Sequence, residues 1–343
     1  MKLLRLPLLA KEEVFSHLTI NQLFILSLCS KTTKNYIIQT NHSKKVERIN
    51  YVIHGETIVI DSIVTKNSHI IRDVLMFASN TPAGFHLSGP SVEKLRVMRA
   101  AIDCLSSNGY KHDLEAMFNS DVDSILEAIH NHLYDLFGDH TKFWLESSSR
   151  EFKWFPILRN IQKMEIDGDG FESTEVDEFL TGSTCLEYFS WTALYERENR
   201  LRENSKIYEL DTVQLSMECP LVTDVMRHFN GRHAFLKGYT IATTDVIEFL
   251  NSWISGEKFR NLEVASLEGH FNVSMIRDSI EFKELKTKVK CSFFRKFCEP
   301  CEFESNLYMI RKSDGHVASV QTTPKIFVGV WKMTEKQFLE EFQ

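Results

Sequence analysis

The sequence predicts an α/β protein: an N-terminal trihelical module followed by a leucine-rich-repeat-like parallel strand/helix domain. Three observations carry this. Residues 1–45 hold short apolar segments at helical spacing, separated by polar start signals. Between residues 155 and 270 the pattern apolar-x-x-apolar-x-apolar returns five times at nearly constant spacing. Helical patterns lie between most of those returns, as parallel strands require.

In the N-terminal segment Val14 and Leu18 are one helical turn apart, with Phe15 beside Val14. Thr19 and Gln22 have the spacing of a capping box, which predicts the start of a second helix. Leu23 with Leu26, and Phe24 with Leu28, continue it on a helical period. Ser30 can cap a third helix ending near Tyr36 and Ile37. Leu3, Leu4, Leu6, Pro7, Leu8 and Leu9 precede the first helix as a nearly unbroken apolar run. A module below about 40 residues rarely stands alone. Its surplus apolar surface either docks onto the rest of the chain or onto another protein.

Composition narrows the class. The formal charge is −7, which argues against a general nucleic-acid binder, since that needs a basic face. No run approaches the ~18 apolar residues of a spanning helix. Arg5, Pro7 and the Lys11-Glu12-Glu13 run break any resemblance to a signal peptide. The seven scattered cysteines suit reduced thiols, so the expected location is cytoplasmic or nuclear, with no membrane partner.

Residues 46–64 read as two strands with Gly55-Glu56 near the turn, and helices are predicted over 70–77, 91–105 and 121–137. The last has Ile125, Ile129, Leu133 and Leu136 in one stripe. A turn-rich connector separates the first two. The five returns follow: Ile161, Met164, Ile166; Leu186, Phe189, Trp191; Leu210, Val213, Leu215; Leu236, Tyr239, Ile241; Leu262, Ala265, Leu267. Their first positions are 25, 24, 26 and 26 residues apart, inside the leucine-rich-repeat range of about 20–29. Helices are predicted over 175–180, 221–229 and 245–254, the last capped by Asp245 and closed by Gly256. Residues 195–206 form a charged surface segment. Residues 305–332 form an antiparallel hairpin turning at Asp314-Gly315.

On each repeat strand the intervening side chains point away from the helices. This places Lys163, Tyr188, Ser190, Thr212, Gln214, Thr240 and Ser266 on one sheet face, with Glu165, Gly238 and Val264. Solenoids commonly bind partners on such a face, and Tyr188 is the expected anchor for a target protein. The other reading is that helices from residues 61–137 cover the face and make it core.

The N-terminal segment resembles an F-box. The carriers are Leu6-Pro7, the Leu8-Leu9 pair, the EEV…L helix and the LSLCSK run from Leu26 to Lys31. The remainder, residues 46–343, resembles an F-box-associated domain of type 2. Its carriers are FLNSWISG at 249–256 with the following NLEVASLEG, IRKSDGHVA at 310–318, and GVW at 329–331. The resemblance implies a module that binds the Skp-type adaptor of an SCF ubiquitin ligase, and through it a cullin. Leu6, Pro7, Leu8, Val14, Leu26, Leu28 and Cys29 match its apolar pattern. The domain behind it would select an unknown substrate protein, and the chain would be no enzyme itself. The second function class is a non-degradative interaction scaffold.

Other chemistry is thinly supported. Cys298 and Cys301 with Cys291 make one CxxC, short of the four ligands of a closed zinc site. Residues 167–178 imitate a calcium loop, but Phe171 stands at a ligand position and Glu172 where Gly is needed. They read better as a strand-to-helix loop. His130 and His132 point to different faces of one helix. No phosphate-binding or nucleophile-elbow motif occurs, so no cofactor and no metal is expected.

Overall fold

The computed structural model describes residues 6–40, 46–54, 57–66, 69–79, 113–118, 122–148, 158–169, 171–194, 201–293, 296–297 and 300–342. The chain divides into two compact units, residues 1–164 with 183–185, and residues 165–182 with 186–343.

The first unit opens with α1 (Leu8–Ser16), α2 (Ile20–Cys29) and α3 (Lys31–Gln39). The expected capping box forms at α2. Gln22 N donates to Thr19 Oγ1 at 3.3 Å, and Thr19 N donates to Gln22 Oε1 at 3.0 Å. Ser30 caps α3, accepting from Thr33 N at 3.4 Å. Phe15, Leu23, Phe24 and Ile37 are buried. The Lys11 ammonium lies 4.1 Å over the Tyr36 ring, tying α1 to α3.

Next come β1 (Val46–His54), β2 (Thr57–Lys66), β3 (His69–Ser79), β4 (Asp113–Phe118), α4 (Val122–Phe137) and β5 (Lys142–Ser147). The strands lie in the order β5-β1-β2-β3-β4. β2 is antiparallel to β1 and β3, while β1–β5 and β3–β4 are parallel. The two strands expected over 46–64 are present. The helix expected over 70–77 is not: those residues are β3, paired with β2 from Thr57–Ala78 to Lys66–His69. The run IIRDVLMF satisfies both periods, and β-branched Ile70, Ile71 and Val74 favour the strand once a ladder partner exists. The helix expected over 91–105, the turn at 55–56 and the connector at 80–90 lie outside the described residues.

α4 fulfils the expectation for 121–137, with Ile129, Leu133 and Leu136 buried in one stripe. His130 joins them, fully buried. Its Nδ1 is 3.1 Å from the Tyr51 hydroxyl, and its ring meets Phe143 edge-on at 4.7 Å. Burial pushes its pKa down to about 4. The folded chain therefore holds His130 neutral where the unfolded chain binds a proton, so stability is full above about pH 6.5. It falls through the interval down to about pH 4, by up to about 3 kcal/mol. Urea unfolding at pH 7 and pH 5 should show this loss in the native chain and a much smaller one in His130→Phe. An equal loss in both would assign it to other groups.

β6 (Ile161–Asp167) spans the boundary between the units. The second unit continues with α5 (Ser173–Gly182), β7 (Tyr188–Thr192), a 3-10 turn (Lys206–Glu209), β8 (Thr212–Ser216), α6 (Pro220–His228), β9 (His233–Lys237), α7 (Thr243–Ser255), β10 (Val264–Glu268) and α8 (Val273–Ser279). It ends with β11 (Lys283–Phe293), β12 (Cys301–Ile310), β13 (His316–Gln321), β14 (Ile326–Thr334) and α9 (Glu335–Phe342). Its strand order is β11-β12-β13-β14-β10-β9-β8-β7. β7 to β10 are parallel, and β14 is antiparallel to both β10 and β13. The expected hairpin over 305–332 is thus three strands that extend the parallel sheet. The turn at Asp314-Gly315 is present, with Gly315 at φ +74°.

One repeat is displaced. β9 is His233–Lys237, so Tyr239 and Ile241 lie beyond it. Ala234 aligns with Val213 and Ala265, and Leu236 aligns with Leu215 and Leu267. The first position of this repeat falls on Gly231, where the others carry Leu or Ile, and the second on the small Ala234, which together hid the register. Asp245 also sits inside the first turn of α7 rather than at its cap. There its Oδ2 accepts from Ala242 N at 3.0 Å and its Oδ1 from Arg227 at 2.7 Å. Gly256 closes α7 at φ +78°, as expected.

Candidate adaptor-docking site and target face

Intramolecular docking accounts for part of the N-terminal module. Ser27 Oγ lies 2.6 Å from His132 Nε2, the His132 ring meets Phe24 edge-on at 5.6 Å, and Lys34 pairs with Asp135 at 2.8 Å. α2 and α3 are therefore anchored on α4. His130 and His132 indeed serve different faces, one facing the core and one facing Ser27.

A second set of apolar residues stays outside this contact. Pro7 and Cys29 are exposed, and Leu6, Val14, Leu26 and Leu28 are half-buried. The side chain of Leu8 lies outside the described residues. Two residues outside the expected adaptor set join them. Leu9 is 79% exposed and Ile38 is 39% exposed. The run LLRLPLLA is apolar at nearly every position, so no period separated inside from outside.

The face predicted to bind a target is packed within the chain. Tyr188, Thr212, His233 and Val264 stand side by side across β7–β10, all buried. In the next row stand Ser190, Gln214, Phe235 and Ser266. Ser190 and Ser266 are buried, and Gln214 and Phe235 half-buried. His233 and Phe235 occupy the places assigned to Gly238 and Thr240. Thr240 is exposed beyond the strand and donates to the Cys219 carbonyl at 2.9 Å. Lys163 is buried, with its ammonium 4.6 Å over Trp144.

Within the second unit the described cover is the chain's own C-terminal part. Phe297 packs on Tyr188 at 5.7 Å, and Lys296 pairs with Glu187. Val264 shares one apolar cluster with Cys291, Cys301, Phe303, Tyr308 and Phe338, against which Phe235 and Phe327 pack. Phe293 from β11 lies directly over Gly329 of β14, where a Cβ has no room. Tyr188 is therefore a core residue and cannot be a surface anchor.

The segments 249–256 and 310–318 meet at one joint. The buried Arg311 guanidinium donates to both Asp314 oxygens, at 3.0 and 2.7 Å. It also donates to the Phe259 and Arg260 carbonyls at 3.4 and 3.1 Å, and lies 5.2 Å over the Trp253 ring. Lys312 N donates to the Ile254 carbonyl at 2.7 Å. Arg311 holds the Asp314 carboxyl below its usual range, opposed by partial burial. The spacing of these segments in sequence gave no sign that they touch.

Residues 167–178 run from β6 into α5, as a strand-to-helix loop. Asp169 Oδ1 accepts from Leu194 N at 2.5 Å and Glu175 Oε2 from Glu172 N at 3.2 Å. Of the charged segment, Arg202 reaches Glu178 at 3.3 Å, and residues 206–209 form the 3-10 turn; residues 195–200 lie outside the described residues. Among the described residues no three His, Cys, Asp or Glu are grouped as a metal site needs. Cys298 lies outside them. Burial pushes the Cys291 thiol up to about 11, so it stays protonated at neutral pH. Alkylation of the native chain at pH 8 should accordingly spare Cys291 and modify the exposed Cys29 and Cys185.

Residues 3–41 match the F-box domain family. The N-terminal module is therefore an F-box domain, the type that generally binds a Skp-type adaptor in SCF complexes, and F-box proteins are generally adaptors rather than enzymes. No curated protein and no solved structure matches the chain. Behind the F-box stands a mixed α/β region with a large sheet. Among the described residues no helix is long and apolar enough to cross a membrane.

Proposed function

We propose that this chain is the substrate-recognition subunit of an SCF-type ubiquitin ligase. Its F-box holds a Skp-type adaptor and through it a cullin, and the second unit holds a target protein. The observation that carries this is the F-box domain with Leu9, Pro7, Cys29 and Ile38 left outside the contact that ties α2 and α3 to α4. The chain contributes no catalytic group. It raises the effective concentration of the target beside the ubiquitin-carrying enzyme. We read residues 46–343 as an F-box-associated type 2 domain with leucine-rich-repeat-like strands. Supporting this, the segments that carry the resemblance pack on one another around Arg311.

The adaptor contact is assigned to Leu6, Pro7, Leu8, Val14, Leu26, Leu28 and Cys29, extended by Leu9 and Ile38. The test is pull-down of a Skp-type adaptor by native chain, Leu9→Asp and Ile38→Asp. Native chain should capture it and both variants should lose it. Capture at native strength by both variants would refute this assignment.

A further inference from the structure

The sheet face is closed, but side chains are exposed at the rim where β7–β10 end, and this rim is regularly built. Beyond the strand ends each loop donates to the last strand residue of its neighbour. Gly168 N donates to Thr192 O at 2.9 Å, Ala193 N to Ser216 O at 3.0 Å, Met217 N to Lys237 O at 3.0 Å, and Gly238 N to Glu268 O at 2.9 Å. This staircase sets the next residue of every loop in equivalent places: Asp169, Leu194, Glu218, Tyr239 and His270. Neighbours in the row are about one strand spacing apart, ~4.8 Å. The contacts at its two ends agree. Asp169 receives the Leu194 amide, and the Tyr239 and His270 rings stack at 4.7 Å and 18°.

Four side chains of this row, Leu194, Glu218, Tyr239 and His270, are exposed. Leu194 is 61% exposed and Tyr239 55%, with Met275 at 47% in the first turn of α8. The other large apolar side chains that exposed among the described residues, Leu9 and Ile38, belong to the F-box. Exposed apolar side chains gathered in one place mark interaction surfaces. Charge gives the partner's sign. The strand-to-helix loops after β6, β8, β9 and β10 carry Asp169, Glu172 and Glu218, and no lysine or arginine among their described residues; in the loop after β7 the described Arg202 is paired with Asp177 and Glu178. At the strand ends Lys237 is neutralised by Glu268 at 2.8 Å.

We propose that this rim is the target-docking surface, and that it takes a protein segment whose apolar side chains are flanked by lysine or arginine. Leu194 and Tyr239 take the apolar side chains, with Glu218 between them facing the basic ones. This rests on the substrate-receptor reading, which it deepens.

The test uses full-length chain co-expressed with a Skp-type adaptor and three pools of short labelled peptides. One pool combines Leu/Phe with Lys/Arg, one Leu/Phe with Asp/Glu, and one Lys/Arg with Ser/Gly. The first should bind at least about tenfold tighter than the others. Leu194→Ser and Tyr239→Ser should each weaken that binding by about tenfold. Glu218→Lys should move the preference toward the acidic pool. All three side chains are exposed, so thermal unfolding should not move. Equal binding of the pools, or binding that these variants leave unchanged, would overturn the proposal. Adaptor co-purification in the same samples separates the two readings. Adaptor bound without peptide preference removes the rim and keeps the receptor. Peptide preference without adaptor keeps the rim as a docking surface and removes the receptor.

Discussion

Arg311→Met should destabilise the second unit by about 2–4 kcal/mol, mostly from leaving carbonyls of a buried joint short of donors, since Asp314 is 38% exposed and its pairing counts for less. The guanidinium is 4% exposed and joins Asp314 on its own turn to two backbone carbonyls after α7. Removing it leaves those carbonyls short of donors and Asp314 without its fork, each a loss of partly or fully buried hydrogen bonds. Arg311→Lys should recover little, because one ammonium cannot span the carboxylate and both carbonyls. Lys312→Met, one residue on and exposed, is the control and should stay within about 0.5 kcal/mol. Urea unfolding measures all three. A change at Arg311→Met no larger than the control's would mean that the joint contributes little.

Leu9→Asp should lower adaptor affinity by at least about thirtyfold, the effect of losing a central apolar anchor. Leu9 is 79% exposed, so the carboxylate meets water in the free chain and the fold should be unaffected. In the complex the same carboxylate would be buried without a partner. Leu28→Asp should abolish binding too, but Leu28 is half-buried and its loss mixes unfolding with docking. Titration of purified adaptor, with the melting temperature recorded on the same sample, separates these effects. A Leu9→Asp chain that binds at native strength would place the adaptor contact elsewhere.

What could be read from the residues was local. Thr19 with Gln22, Ser30 and Gly256 each satisfy a helix end by themselves, and each does so in the structure. The parallel strands announced themselves through large apolar residues at fixed offsets. Reading failed where a local pattern fitted two outcomes, as at 70–77, or where small residues broke it, as at Gly231 and Ala234. It failed more completely for long-range covering. β11, with exposed lysines along KELKTKVK, looked like no element, yet its Phe293 packs over Gly329. Beyond β11, Phe297 packs on Tyr188, which is why that intervening strand residue became core. The rim row depends on backbone steps between loops from distant parts of the chain, and only the fold aligns Leu194 with Tyr239.

The most direct measurement is quantitative affinity purification of the tagged full-length chain from its own cells, native against Leu9→Asp. A substrate receptor should bring down a Skp-type adaptor and a cullin together, and Leu9→Asp should lose both while the folded chain persists. Recovery of the native chain with neither protein, or with both undiminished in Leu9→Asp, would contradict that role for the F-box.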